Sequence, residues 1–129
     1  WKPGSANRVY TTKGGDSIGN FVKVSTDDGV TWTRAGTDQP ATELISKTRL
    51  AVTPADPSVI YAHYGNSQTQ GTLGVYRSTD DGATWTPRNT TLNISGTQGS
   101  YANTIAVSPV DPDRLIAGGI IRSKCWSIG

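Results

Sequence analysis

The sequence predicts an all-β fold assembled from repeated units, on three observations. First, residues 25–33 read Ser-Thr-Asp-Asp-Gly-Val-Thr-Trp-Thr and residues 78–86 read Ser-Thr-Asp-Asp-Gly-Ala-Thr-Trp-Thr, so Val30 against Ala83 is the only difference. Repetition this close marks a repeat architecture. Second, residues 104–112 closely repeat residues 49–57, at an offset of 55. Third, no long stretch has the periodicity of an amphipathic helix. The 15 Gly, 7 Pro, many Ser and Thr and absent Met of the 129 residues suit short strands joined by turns.

The duplicated stretch has the chemistry of a tight turn between two strands. Gly29 and Gly82 take φ > 0 without steric penalty, and Ser or Asp side chains bond local backbone N–H groups. Trp32 and Trp85 open the strand that follows, where a large ring covers the turn. The pattern Ser-x-Asp-x-Gly-x-Thr-Trp, at Ser25, Asp27, Gly29 and Trp32 and again at Ser78, Asp80, Gly82 and Trp85, resembles the Asp-box, or bacterial neuraminidase repeat. The resemblance implies a β-propeller in which each box joins the third and fourth strands of a blade. Sialidases, xyloglucan-degrading hydrolases, sortilin-type receptors and many secreted proteins share the box. It therefore implies a secreted or cell-surface location and leaves enzyme and non-enzyme open.

Taken in order, residues 1–8 are loop-like, with a turn at Pro3 and Gly4. Residues 9–12 form a strand, residues 13–20 a Gly-rich connection, and residues 21–24 a strand running into the first box. A further strand begins at residues 31–33, and residues 34–47 are a polar loop containing Pro40. The second unit is complete. Residues 49–52 are a strand ended by a loop whose two prolines, Pro54 and Pro57, cannot donate to a ladder. Residues 58–64 place apolar and aromatic side chains on both faces, as in a strand buried on both sides. Residues 65–71 are a polar loop, residues 74–77 lead into the second box, and residues 83–87 supply the fourth strand. A third unit begins with strands at 104–107 and 115–118. Residues 119–123 match residues 74–78, and Lys124, Cys125, Trp126 and Ser127 stand where a third box is due.

With the resemblance, the chain reads as a β-propeller segment of about two and a half four-stranded Asp-box blades: an incomplete blade over 1–36, a complete one over 49–89 and an incomplete one over 103–129. Closed propellers have about four to eight blades, so such a segment cannot close on itself. Its expected partners are the remaining blades of a longer chain or other copies of itself, because repeat units bury their apolar faces only against neighbours. A start at Trp1 rather than Met fits removal of a leader or excision from something longer.

The composition narrows the function. The net charge is +2 with scattered Lys and Arg, which gives no footprint for nucleic acid, and no apolar run has membrane-spanning length. One cysteine, Cys125, excludes an internal disulfide, and the sequons at Asn89 and Asn93 matter only in a eukaryotic secretory pathway. Neighbouring Asp27 and Asp28, or Asp80 and Asp81, point in different directions and are not the facing carboxyl pair, roughly 5–9.5 Å apart, of a glycosidase. The lone His63 is a packed strand residue rather than a base or a metal ligand. The Arg-Ile-Pro motif and substrate-clamping arginines of sialidases are absent; Arg77 and Arg122 occupy equivalent repeat positions, and no Asp follows Tyr61 and Ala62 as in xyloglucan hydrolases. No catalytic residue, metal site or cofactor is assigned. Tyr61, Tyr64, Tyr76 and Tyr101, beside polar loops, are the candidate platform for a carbohydrate. The expected function is an extracytoplasmic repeat scaffold or recognition module. The alternatives are a fragment of a secreted glycoside hydrolase with its acid and base elsewhere, and a self-assembling surface protein.

Overall fold

A computed structural model of the chain describes residues 1–12, 20–120 and 123–127, the last as backbone. The described residues are all-β, apart from one 3-10 turn at Thr42–Leu44. Strands β1 (Val9–Thr11), β2 (Lys23–Ser25) and β3 (Thr33–Arg34) form the first sheet. The middle sheet has β4 (Ile45–Val52), β5 (Ile60–Asn66), β6 (Thr72–Ser78) and β7 (Thr86–Asn89), in that order. The third has β8 (Thr104–Val107), β9 (Arg114–Gly118) and β10 (Ser123–Ser127). All neighbours are antiparallel, so each sheet is a meander. The predicted connection at 13–19 lies outside the described residues, as do Ile121 and Arg122.

Two apolar layers hold the sheets together, and β5 feeds both. Successive side chains of a strand point to opposite faces. Ile60, Ala62 and Tyr64 enter one cluster with Phe21, Val22, Ala35, Ile45 and Trp85, between the first and middle sheets. Val59 and Tyr61 enter the other with Val75, Ile94, Ile105, Leu115 and Ala117, between the middle and third sheets. The apolar residues read on both faces of this strand are buried on both. Among the described residues, no helix is long and apolar enough to cross a membrane.

Most predicted strands are shifted by one to three residues, as at Lys23–Ser25 and Thr86–Asn89, and two differences from the sequence reading are larger. β4 begins at Ile45, so the predicted loop at 34–47 gives way to the 3-10 turn and then to strand. Buried Ile45 anchors it, a register shift falls between Ile45 and Lys47, and the polar Ser46, Lys47 and Thr48 lie along an edge strand with no apolar alternation to betray them. That edge is protected. Thr12 Oγ1 donates to the Thr48 carbonyl at 3.0 Å and Asn20 Nδ2 to the Ile45 carbonyl at 3.2 Å, which occupies groups that would otherwise template another strand.

The second correction is at the C-terminal end. The third strand of the last sheet is Ser123–Ser127, not residues 119–123, because β9 runs to Gly118 and Ser123 pairs with Gly118. Lys124, Cys125 and Trp126 therefore pair with Ala117, Ile116 and Leu115, and do not replace a turn. In the middle sheet the duplicated turn starts at Ser78, opposite Ile60. The residue at the repeat position of Ile60 is Leu115, which faces Trp126, so Trp126 and not Ser123 stands at the ladder position of Ser78.

Candidate functional site

Both copies of the duplicated stretch close the same hydrogen-bonded turn. Ser25 Oγ donates to Asp27 Oδ1 at 2.6 Å and accepts from the Gly29 N–H at 2.8 Å. Asp27 then accepts from the Thr31 N–H at 2.9 Å and from the Thr31 hydroxyl at 2.5 Å. Ser78, Asp80, Gly82 and Thr84 repeat these four bonds at 2.8, 2.8, 2.9 and 2.6 Å. Asp28 (φ 60°) precedes Gly29 (φ 90°), and Asp81 (φ 61°) precedes Gly82 (φ 86°), so each turn contains two consecutive left-handed residues. Sequence reasoning assigned that conformation to the glycines alone; Asp tolerates it better than most side chains.

The carboxylates are spent on the turn. The Ser25 hydroxyl, with that of Thr31, holds Asp27 down at about 2, and the Thr84 hydroxyl foremost holds Asp80 below the usual carboxylate range. Groups kept ionised this firmly are hydrogen-bond acceptors and unsuited to donate a proton near neutrality. Each Trp indole N–H donates to the glycine carbonyl of its own turn, Trp32 to Gly29 at 2.9 Å and Trp85 to Gly82 at 3.1 Å.

The turns also tie the sheets together. Trp85 is only 2% exposed, and its N–H is shared with the Ala35 carbonyl at 2.8 Å. The neighbouring Gly36, at φ 69°, presses against the carbonyls of Gly82 and Ala83 with no room for a Cβ. Trp32 is half-buried. Asp81 receives Lys2 Nζ at 2.6 Å, and its carbonyl accepts from the Tyr10 hydroxyl at 3.1 Å. Val9 faces Ser25 as Ile60 faces Ser78, which makes Tyr10 and Tyr61 equivalent. Tyr61 duly donates to the Pro112 carbonyl at 2.8 Å, one sheet further on, and Arg77 nearby pairs with Asp113.

The four candidate tyrosines do not form one exposed platform: Tyr64 and Tyr76 pack on each other, and Tyr61 lies in the other apolar layer. Tyr61 and Tyr64 are both 0% exposed and offer no ring face to a ligand, which corrects their expected role. The Tyr64 hydroxyl donates to Gln39 at 2.9 Å and burial pushes its phenol well up; Tyr76 packs edge-on against it at 5.3 Å. Tyr101 alone is open, at 63%. His63 is fully buried between the middle and third sheets, its ring nitrogens 3.2 Å from the Thr104 carbonyl and the Thr72 hydroxyl, and burial lowers its pKa. Among the described residues, no three His, Cys, Asp or Glu side chains gather as a metal site would need.

What the sequence did not reveal is a cleft of about 360 Å³ along the outer edge of β4. Thr12, Asn20, Ser46, Lys47, Thr48, Arg49 and Ser100 line it. Ser46 Oγ is buried with no hydrogen-bond partner, and neither Lys47 nor Arg49 has a carboxylate partner among the described residues. Two cations two residues apart on one strand share a face. That signal was present in the sequence but fell across a loop boundary.

A smaller, apolar cleft of about 260 Å³ lies on the third sheet, lined by Ala106, Val107, Pro109, Leu115 and Ile116.

No protein-family model matches the chain. A stretch of 47 residues is 49% identical to part of the dispase autolysis-inducing protein of Streptomyces mobaraensis. The match covers 36% of this chain and 13% of that protein.

Proposed function

We propose that the chain is a segment of an Asp-box β-propeller, an extracytoplasmic repeat scaffold that presents recognition surface and has no catalytic set of its own. One observation supports this above the others. The middle sheet is covered on both faces, and each sheet docks on the next through the same elements: a Tyr hydroxyl reaching the following carbonyl and a buried apolar layer. A four-stranded meander stacked between two three-stranded ones in this way is what adjoining propeller blades would look like. Asp27 and Asp80 are consumed as structural acceptors of the turns, a use that does not call on them for hydrolysis. The Streptomyces relative is named for inducing autolysis, and only 13% of it is matched.

On this reading the outer faces are met by further blades of a longer chain or by other copies. Light scattering tests it. The 129-residue chain alone is expected to give oligomers or concentration-dependent association. A stable monomer at high concentration would overturn the reading, and so would release of reducing ends from glycan substrates by the purified chain.

A further inference from the structure

We propose that the cleft along the edge of β4 binds the carboxylate groups of an acidic polysaccharide. This goes further than the scaffold reading and rests only on its recognition half. Lys47 and Arg49 bring two positive charges to one lip with no ion pair to an acidic side chain among the described residues. Arg49 is exposed and has no hydrogen-bond partner among the described residues. Lys47 makes one loose contact, 3.5 Å from the Tyr101 carbonyl. The rest of the lining is hydroxyl and amide: Thr12, Asn20, Ser46, Thr48 and Ser100. Such groups match the hydroxyls of a sugar ring.

Tyr101 completes the set. It adjoins Ser100, and its backbone carbonyl is the oxygen that Lys47 approaches. Its exposed side chain lines a neighbouring cleft with Asn103 and Ile120, and offers a flat apolar face at the margin of the β4 cleft on which the next pyranose of a bound chain stacks. A phosphate or sulfate would use the two cations and ignore the platform and the hydroxyl lining. A neutral glycan would use the platform and leave two desolvated cations unpaired, which is costly. A uronic-acid chain satisfies all three.

The experiment is calorimetric titration of the 129-residue chain with short oligogalacturonate, with a neutral cello-oligosaccharide and dextran sulfate as comparisons. Saturable binding of the oligogalacturonate alone is expected. It should weaken by about tenfold or more in the Lys47→Ala, Arg49→Ala double variant, since each charge-assisted contact is worth at least that. Tyr101→Ala should weaken it several-fold, and Arg49→Lys should restore part of the loss. Circular dichroism of the variants confirms folding, because the three side chains are exposed or partly so. No binding, unchanged binding in the double variant, or equal binding of dextran sulfate would overturn the proposal, the last reducing the cleft to a general polyanion patch. Reducing ends measured in the same samples report on the scaffold reading separately: cleavage would refute that reading while leaving the binding site in place.

Discussion

Trp32 and Trp85 occupy identical places in identical turns, yet the protein uses them differently. Trp85 is enclosed by Ala35 and Ile60 and shares its N–H with two carbonyls, whereas Trp32 bonds only the carbonyl of its own turn. Truncating a buried Trp costs about 3–5 kcal/mol, and a half-exposed one considerably less. Trp85→Ala is therefore expected to lower the denaturation midpoint far more than Trp32→Ala, measured by circular dichroism. Equal losses would mean that the two turns are equally enclosed. Titration gives a second prediction at this scale. His63 has a lowered folded pKa, so the unfolded chain binds its proton first. Stability from this residue is complete above about pH 6.5 and declines as the pH falls below it. Asp27, held at about 2, adds a second loss between about pH 4 and pH 2, with Asp80 in the same direction. Tm should thus fall in two acid steps, and His63→Gln should flatten the upper one. A Tm that stays level from pH 7 to pH 5 in the parent chain would contradict a neutral, buried His63.

Among the elements, legibility followed the burial pattern. β5 was plain because a strand carries apolar residues on both faces chiefly when both are covered, and here both are buried. The turns were plain because Gly, Asp and Ser at fixed offsets leave little freedom to the backbone, and both copies make the same bonds. The start of β4 was hidden. An edge strand need bury only one residue in several, and here the others cap carbonyls or face the cleft, so Lys47 fell within an expected loop and its pairing with Arg49 was not seen. β10 was displaced because residues 119–123 resemble residues 74–78 locally, while the ladder pairs Gly118 with Ser123 and so starts the strand only there. Local likeness lost to ladder geometry. The tyrosines misled for a related reason: an aromatic in a strand reads the same whether it packs between sheets or faces a ligand, and only the stacking of three sheets decides.

For the whole molecule, what matters is that the sheets repeat and the ends do not. The face of the middle sheet that carries Tyr61 is filled by the third sheet. The residue of the third sheet at the repeat position of Tyr61 is Ile116, 51% exposed, on the wall of the apolar cleft with Ala106 and Pro109. A β-branched apolar side chain there is what an interior strand position favours, and it is a liability on an open face. Ile116→Lys is accordingly expected to reduce self-association of the 129-residue chain in sedimentation velocity while changing its stability by no more than about 0.5 kcal/mol, as at an ordinary surface site. If the chain instead sits within a longer protein whose next sheet covers this face, the same substitution buries a charge without a partner and destabilises that protein severely. Association that is unaffected by the lysine would show that the chain's contacts run through another surface. The contrast between the two settings separates a subunit that meets copies of itself from a segment that meets its own next blade.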